Sequence, residues 1–270
     1  MQDSGRLFIL GLGAQKTGTT WLYDYIASAP NAAVDGIKEY HIWDAIHLRH
    51  LSRAQVSKAN SERDLKSRIQ FALQQHPAAY FHYFDHFLAT AKRQVTCDIT
   101  PNYAGLGSDV LGSIRQGFAG RGIATRAIFL IRDPVERCWS AARMQAGLRT
   151  GNTDIGDEQV LAHVDLPGAQ MRTRYDLTIA EMEKAFPAED RHVGIYEEMF
   201  RPDQVARISA FCRLPARPEQ AAKKVFATPA TRTLKDDTRR AIAARFRPVY
   251  DFAAARYPQV KDLWSGFRYL

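Results

Sequence analysis

A lysine within a glycine-rich loop is the first feature of this sequence with the chemistry to bind a charged ligand. The loop reads Gly-Ala-Gln-Lys-Thr-Gly-Thr-Thr, with Lys16 as its fourth residue. The backbone N–H groups of such a loop surround a phosphate, threonine hydroxyls add hydrogen bonds, and a lysine reaches a bridging or leaving oxygen. A plain glycine turn with an exposed lysine is the alternative. The predicted phosphate-binding residues are Gln15, Lys16, Thr17, Gly18, Thr19 and Thr20.

Two common nucleotide-binding motifs do not fit this loop. The dinucleotide pattern Gly-x-Gly-x-x-Gly begins at Gly11 and Gly13 but has Lys16 in place of its third glycine. The Walker pattern has its two glycines at Gly13 and Gly18, yet Thr19 stands where its lysine belongs. The lysine has moved three residues toward the N-terminus, which favours a ligand other than a nucleoside triphosphate.

A second candidate anion site consists of Arg132 and Ser140. Residues 126–131 form the clearest buried-strand pattern in the chain, and Arg132 follows its carboxyl end. Asp133-Pro134 is typical of a helix start, with the aspartate as the cap. At about 100° per residue, Ser140 points in nearly the same direction as this cap, so it converges with Arg132 on one anion.

These two sites together predict a ligand with two separated phosphate groups. An adenosine bisphosphate fits them better than a triphosphate does. A plain salt bridge from Arg132 to Asp133 or Glu136 is the alternative for the second site.

The segment Lys38-Glu39-Tyr40-His41 supplies a candidate general base. It follows residues 32–35, a weak strand pattern that we expect to lie parallel beside the first strand. Its carboxyl end then brings Glu39 to the same rim as Lys16, where a carboxylate takes the proton of an attacking hydroxyl. Lys38 is expected to hold the acceptor or the transferring group, and His41 is a possible second base. A solvated Lys-Glu surface pair is the alternative.

Strand and helix patterns alternate along the chain, which indicates an α/β fold with a mainly parallel sheet. We predict a single P-loop-like domain over residues 1–270, its central sheet flanked by helices. Residues 148–170, rich in Gly, Asp and Thr, are expected to form a mobile loop, and residues 214–270 a C-terminal helical part.

Composition narrows the class of protein. The net charge of +8 attracts phosphates, sulfates or acidic glycans, but the basic residues form no run of five or more, which disfavours a nucleic-acid track. No apolar stretch approaches a membrane span, and residues 7–12 are too short for a signal peptide. Three distant cysteines suggest reduced thiols. We therefore expect a cytoplasmic protein of unknown oligomeric state.

Several ordered motifs resemble the sulfotransferases that use 3′-phosphoadenosine 5′-phosphosulfate (PAPS). Gln15 to Leu22 resembles their 5′-phosphosulfate loop, and Ile131 to Ala141 their 3′-phosphate segment. Lys38 to Asp44 is similar to the Lys-Glu-Pro-His-Phe-Phe stretch of the heparan-sulfate type, whose glutamate is the catalytic base. Thr100 to Tyr103 resembles that type's Ser-Pro-x-Tyr segment, and Val193 to Met199 a motif near the adenine.

The resemblance implies in-line transfer of a sulfuryl group from PAPS to a hydroxyl, or an amine, of a sugar, lipid or small molecule. It also implies that the catalytic residues are Lys16, Lys38 and Glu39. Adenosine 3′,5′-bisphosphate is then the product, and no metal is required. The sequence departs from the heparan-sulfate-type pattern at two positions. Tyr40 stands in place of a proline, and Asp98 stands in place of a glutamate. The remaining expected donor residues are Trp21, Tyr196 and Arg232, the last within residues 228–233 as closure of the 3′-phosphate site. The expected acceptor-binding residues are His41, Phe84, Asp98 and Tyr103.

Two other functions compete with this interpretation. A P-loop kinase or other nucleotide phosphotransferase predicts ATP binding and magnesium dependence. A non-catalytic polyanion-binding module predicts binding without turnover. The acceptor, whether a glycan or a natural product, is not defined by the sequence, although the aromatic residues between 80 and 87 are candidates for an acceptor cleft as well as for core.

Overall fold

Four parallel strands form the centre of the protein. The computed structural model describes residues 5–49, 54–222 and 232–270. The strands are β1 (Leu7–Gly13), β2 (Val95–Ile99), β3 (Ala124–Ile131) and β4 (Arg191–Ile195), in the order β2-β1-β3-β4. Every neighbouring pair is parallel. The predicted α/β fold with a parallel central sheet is confirmed.

Helices connect and cover these strands. None in the described parts of the chain is long and apolar enough to cross a membrane. Their bounds are α1 (Thr19–Ala27), α2 (Trp43–His47), α3 (Lys58–Ser61), α4 (Leu65–Gln75), α5 (Ala78–Ala91), α6 (Ser108–Ala119), α7 (Pro134–Thr150), α8 (Asp157–Val164), α9 (Pro167–Met171), α10 (Tyr175–Ala185), α11 (Pro202–Phe211), α12 (Asp236–Arg245), α13 (Arg247–Arg256) and α14 (Val260–Leu263).

Alternation along β1 explains why helices cover both faces of the sheet. Leu7 and Ile9 pack with the buried residues of α1 and α11, whereas Phe8 and Leu10 pack with those of α5, α6, α7 and α10. A strand buried on both faces has to be apolar throughout, as β1 is. The result is a sheet sandwiched between two helical layers.

The strand order creates a crevice at the carboxyl ends of β1 and β3. The chain passes from β1 to β2 on one side of the sheet and from β3 to β4 on the other. The segments that follow the neighbouring strands β1 and β3 therefore lead away from each other. In open parallel sheets, ligands bind at this kind of switch point. Both predicted anion sites follow these two strands.

Two expectations about elements were wrong. Residues 32–35 do not form a strand beside β1. Ala32 makes a single parallel bridge with Val95 of β2, and β2 lies between residues 32–35 and β1. Residues 148–170 are not mainly loop, since α7 continues to Thr150 and both α8 and α9 follow. The buried Val160 and Val164, four residues apart on α8, give that segment a helical face to pack.

A buried carboxylate joins the C-terminal helices to the start of α7. Asp133 is 1% exposed. It accepts hydrogen bonds from Val135 N at 3.1 Å, Ser265 Oγ at 2.9 Å, Gly266 N at 3.0 Å and the Tyr250 hydroxyl. The cap therefore fixes the end of β3, and with it Arg132, against residues 250–266.

Removing one of these donors should weaken the fold. We expect Tyr250→Phe to lower the free energy of unfolding by about 1.5–3 kcal/mol, because a buried carboxylate loses a hydrogen bond. Tyr269→Phe is the matched control, since the Tyr269 hydroxyl bonds the exposed Asp236. Urea denaturation of the two variants measures the difference. Equal effects of both changes would contradict the role of Asp133.

Candidate functional site

The loop between β1 and α1 has the geometry of an anion cradle. Lys16 and Gly18 both have positive φ, 70° and 88°, which turns successive N–H groups toward one side. The first helical bond of α1 is donated by Leu22 N to Gly18 O, so the preceding N–H groups point beyond the helix start. A Cβ on Gly18 would lie 2.7 Å from Met199 Sδ, so the loop needs glycine here.

The predicted loop residues differ in burial. Gln15, Lys16, Gly18 and Thr20 are half-buried, whereas Thr17 and Thr19 are buried. The Thr17 hydroxyl donates to Ala14 O at 2.6 Å and so closes the loop on itself. Trp21 is 3% exposed and stacks on Tyr25, with ring centroids 4.9 Å apart. Trp21 therefore packs α1 into the core, and its expected donor contact stays a prediction.

Three other cations act electrostatically on Lys16. Burial, followed by the positive charges of Arg132, Lys38 and Arg143, lowers the pKa of Lys16. Lys16 follows β1, Lys38 follows residues 32–35, and Arg132 and Arg143 lie in the segment that follows β3. Like charges held together in this way favour a bound polyanion.

Arg132 faces the loop rather than its acidic neighbours. Its Nη1 donates to Lys16 O at 3.1 Å, and its guanidinium lies over the Tyr196 ring at 4.4 Å from the centroid. Glu136 pairs instead with Arg239 at 2.8 Å. Tyr196, predicted near the donor, thus supports Arg132 from the end of β4.

The helix α7 turns a polar face toward the same loop. Ser140 is half-buried, and Arg143 lies one turn further along the helix. Arg143 acts electrostatically on Lys16 in the loop after β1. Sequence reasoning missed Arg143, although its i+3 spacing from Ser140 was a usable signal.

A row of alternating charges crosses the other side of the site. Lys38 Nζ lies 2.6 Å from Glu39 Oε1, and Glu39 Oε2 lies 3.2 Å from His41 Nε2. His41 Nδ1 lies 2.9 Å from Oδ2 of the buried Asp44. His41 has a φ of 55°, an uncommon conformation for a side-chain-bearing residue. This row places the predicted Lys38, Glu39 and His41 side by side.

The charges of the row fix the protonation of its members. Burial alone raises the pKa of Glu39, but hydrogen bonds and charges from His41 and Lys38 outweigh it and lower the pKa to about 2. Burial alone lowers the pKa of His41, but its bonds to Asp44 and Glu39 raise it to about 9. Protonated His41 is not a proton acceptor at neutral pH, which argues against its role as second base.

The row continues through two residues that the sequence did not single out. Asn102 Nδ2 donates to Asp44 Oδ2 at 2.9 Å, and Arg172 Nε donates to Asn102 Oδ1 at 2.8 Å. Burial and the charge of Arg137 lower the pKa of Arg172 to about 10, while Asp44 and Glu39 act in the opposite direction. No motif spacing links residue 172 to residue 39, because only the folded chain brings them together.

Asp98 and Tyr103 support the row from beneath. Both are fully buried. Asp98 accepts from Thr100 Oγ1 at 2.6 Å and Tyr103 OH at 2.8 Å, while Ile42 N donates to Tyr103 OH at 3.2 Å. Thr100 Oγ1 also accepts from Tyr40 N at 3.1 Å. These side chains hold the backbone of residues 40–42 and have no surface for an acceptor, contrary to expectation.

Phe84 and Tyr40 belong to the same inner layer. Phe84 is 1% exposed and packs edge-on against Tyr40, with centroids 5.0 Å apart. The Tyr40 hydroxyl donates to Asp35 at 2.7 Å, which anchors the Tyr40 side chain. Phe84 is therefore core, and its burial does not agree with the expected acceptor contact.

Arg232 lies on the surface in this structure. Its Nε is 3.3 Å from Asp154 Oδ1, and its side chain is 65% exposed. Residues 228–231 of the expected closing segment lie outside the described residues. Its part in a 3′-phosphate site stays a prediction.

The described residues contain no group of three or more His, Cys, Asp or Glu side chains arranged to hold a metal ion. The three cysteines are free and buried.

Comparisons with known proteins address the fold. No protein-family profile and no curated protein matches the chain. The solved sulfotransferase from Alicyclobacillus acidocaldarius is 18% identical, with a TM-score of 0.59 over 93% of this chain and 94% of that one. The fold is a sulfotransferase fold.

Sulfotransferase domains of biosynthetic enzymes show a weaker likeness. The domain from the curacin biosynthetic pathway is 15% identical, with a TM-score of 0.48 over 90% of this chain and 97% of that one. The domain from a Synechococcus olefin synthase is 16% identical, with a TM-score of 0.43 over 90% and 94%. None of these likenesses favours the heparan-sulfate type.

The charge row predicts an unusual histidine titration. We expect His41 to titrate near pH 9 by NMR, and Asp44→Asn to move the midpoint toward the ordinary value of about 6.5. Because the folded pKa is the higher one, protonated His41 stabilises the fold below about pH 6.5 and this contribution disappears by about pH 9. Asp64→Asn, an exposed helix cap, should leave the midpoint unchanged. A wild-type midpoint near pH 6.5 would contradict the charge row.

Proposed function

We propose that this protein is a PAPS-dependent sulfotransferase that transfers a sulfuryl group to an acceptor hydroxyl or amine. One observation carries the proposal: the positive charges of Arg132, Lys38 and Arg143 act on Lys16 in a phosphate-type loop, and Glu39 Oε1 lies 2.6 Å from Lys38 Nζ. A cradle for a polyanion and an adjacent carboxylate are the two parts that sulfuryl transfer requires. The sulfotransferase fold supports the same conclusion.

The donor is expected to lie across the crevice between β1 and β3. The backbone of residues 16–20 and the Lys16 ammonium would hold the 5′-phosphosulfate. Arg132 and Ser140 would hold the 3′-phosphate, with Arg143 as a further positive charge. The Arg132 guanidinium lies 4.4 Å from the centroid of the Tyr196 ring. This ring would hold the guanidinium in position before the ligand binds.

Catalysis would come from positioning and electrostatics. Lys16 would stabilise the charge that grows on the leaving phosphate oxygen, and Lys38 the sulfuryl oxygens during transfer. A sulfuryl group carries less charge than a terminal phosphate, so lysines suffice where kinases use magnesium. Glu39 would receive the proton of the attacking group.

The low pKa of Glu39 constrains the order of events. A carboxylate with a pKa of about 2 is a weak base toward a free hydroxyl. The acceptor oxygen becomes far more acidic once it begins to bond to sulfur, so proton transfer to Glu39 would accompany that bond and not precede it. A shift of Lys38 from Glu39 toward the sulfuryl group would raise the basicity of Glu39 at the same moment.

His41 and Asp44 would serve as positioning residues. The contacts of Asp44 and Asn102 orient His41, and His41 orients Glu39 Oε2. The likeness of residues 38–44 to the heparan-sulfate type supports Glu39 as the base. It does not define the acceptor.

Removing either of the two central charges should slow transfer at least about 10²-fold without unfolding the protein. With labelled PAPS and a panel of glycans, phenols, lipids and peptides, we expect Glu39→Gln to lose about 10²–10⁴-fold in rate. Lys16→Ala should lose about 10²–10³-fold. Glu62→Gln and Lys66→Ala, two exposed positions on other segments, are the matched controls. Substantial activity in Glu39→Gln would remove Glu39 from the base role.

The second anion site has its own test. Arg132→Ala should weaken binding of adenosine 3′,5′-bisphosphate by about 10–100-fold, since a charged hydrogen bond contributes about 1.5–3 kcal/mol. Its affinity for adenosine 5′-monophosphate, which lacks the 3′-phosphate, should change little. Arg240→Ala, at an exposed surface pair, is the control. Calorimetry that found unchanged bisphosphate affinity would contradict this site.

A further inference from the structure

A chain of hydrogen bonds joins the candidate base to the segment between α9 and α10. Glu39 Oε2 lies 3.2 Å from His41 Nε2, and His41 Nδ1 lies 2.9 Å from Asp44 Oδ2. Asn102 Nδ2 donates to the same Asp44 oxygen at 2.9 Å, and Arg172 Nε donates to Asn102 Oδ1 at 2.8 Å. Asp44 is fully buried and Asn102 is 9% exposed. Arg172 thus stands at the far end of a continuous path to Glu39.

The donors and acceptors of this path fit together in one direction only. A guanidinium has donors and no acceptor, so the Asn102 oxygen has to face Arg172 and the Asn102 amide nitrogen has to face Asp44. An ionised carboxylate only accepts, so Asp44 Oδ2 receives hydrogens from both Asn102 Nδ2 and His41 Nδ1. With Nδ1 as a donor to Asp44, the imidazole presents Nε2 to Glu39. Arg172 therefore selects the orientation of the groups between itself and the base.

The backbone of the segment that begins with α9 holds Arg172 in place. Arg172 Nη1 donates to Gly168 O at 3.0 Å. The next residue, Thr173, is fully buried, and its hydroxyl donates to Ala169 O at 2.6 Å. These bonds attach both Arg172 and its neighbour to the same helix, so the guanidinium is a fixed point from which the path begins.

Stability alone does not explain an arginine at position 172. Burial, followed by the charge of Arg137, lowers the pKa of Arg172 to about 10, while Asp44 and Glu39 act in the opposite direction. At neutral pH Arg172 is therefore a half-buried cation, and its desolvation costs free energy that an apolar side chain of similar length would avoid. The orientation that its N–H groups impose on Asn102 accounts for a cation at this position.

Resting on the proposed function, we propose that Arg172 is a positioning residue for the base Glu39. It acts through Asn102 and Asp44 on His41. His41 in turn holds Glu39 Oε2 in the orientation that receives the proton of the acceptor. Arg172 itself takes no part in the proton transfer, because Asn102, Asp44 and His41 lie between it and Glu39.

The titration of His41 by NMR tests this role without donor or acceptor, because the sign of the shift separates positioning from a plain effect of charge. Loss of a nearby cation by itself raises the pKa of an imidazole. Loss of well-placed bonds to Asp44 and Glu39 lowers it, because these bonds raise the pKa of His41 to about 9. We expect Arg172→Met to lower the midpoint by at least about one pH unit, since a hydrogen bond to a charged group contributes at least that much. Asp98, which also acts on His41, stays the same in every variant.

A second variant and a double variant test the path itself. Asn102→Leu leaves the charge of Arg172 in place and should lower the His41 midpoint to a similar extent. Combining it with Arg172→Met should add little further, because both changes break the same path. Arg174→Met is the matched control and should leave the midpoint near pH 9, since the Arg174 guanidinium pairs with Asp176.

Transfer assays add the link to catalysis. With PAPS and an acceptor that the wild-type protein sulfates, Arg172→Met should lower kcat about 10–100-fold, because a misplaced base reacts slowly. Its affinity for adenosine 3′,5′-bisphosphate should stay unchanged, since the path does not include the donor loop.

Four outcomes overturn the inference. They are a midpoint that rises or stays unchanged in Arg172→Met, an unshifted midpoint in Asn102→Leu, a fully additive double variant, and a bisphosphate affinity that falls together with kcat. Absence of transfer from PAPS by the wild-type protein would instead contradict the proposed function, and the titrations would still decide whether Arg172 acts on His41.

Discussion

The concentration of positive charge that acts on Lys16 is the constraint on which the candidate site depends. Lys16, Lys38, Arg132 and Arg143 come from three segments of the α/β fold, and burial together with the charges of Arg132, Lys38 and Arg143 lowers the pKa of Lys16. Such an arrangement persists because the surrounding fold enforces it. The Asp133 cap fixes the end of β3, and the left-handed loop fixes Lys16. A polyanionic ligand would offset this positive charge.

The local features of the site could be predicted from the sequence, because their signals are contiguous. The glycine loop, the buried strand before Arg132 and the Asp-Pro helix start each occupy a few neighbouring residues. The fold class followed from alternating strand and helix patterns. Side-chain burial could not be predicted in the same way. Asp98 and Tyr103 have the polarity of binding residues, yet the tertiary structure uses them to hold residues 40–42. Arg172 was missed because its partners are distant in sequence.

The competing functions fare differently against the structure. A Walker-type kinase needs a lysine at position 19, and the structure has a buried threonine there, with the ammonium of Lys16 three residues earlier in the loop. A polyanion-binding module accounts for the four cations but gives no use for a carboxylate held between Lys38 and His41. A carboxylate inside an anion site weakens anion binding, so its presence favours chemistry over simple retention.

The choice of donor tests the central claim most directly. The purified protein would be incubated with an acceptor panel and either PAPS labelled in the sulfuryl group or ATP labelled in the γ-phosphate with magnesium. The account predicts that label leaves PAPS for an acceptor, that adenosine 3′,5′-bisphosphate accumulates in step, and that chelation of divalent metal does not change the rate. Label transferred from ATP in a magnesium-dependent reaction, with PAPS untouched, would contradict it.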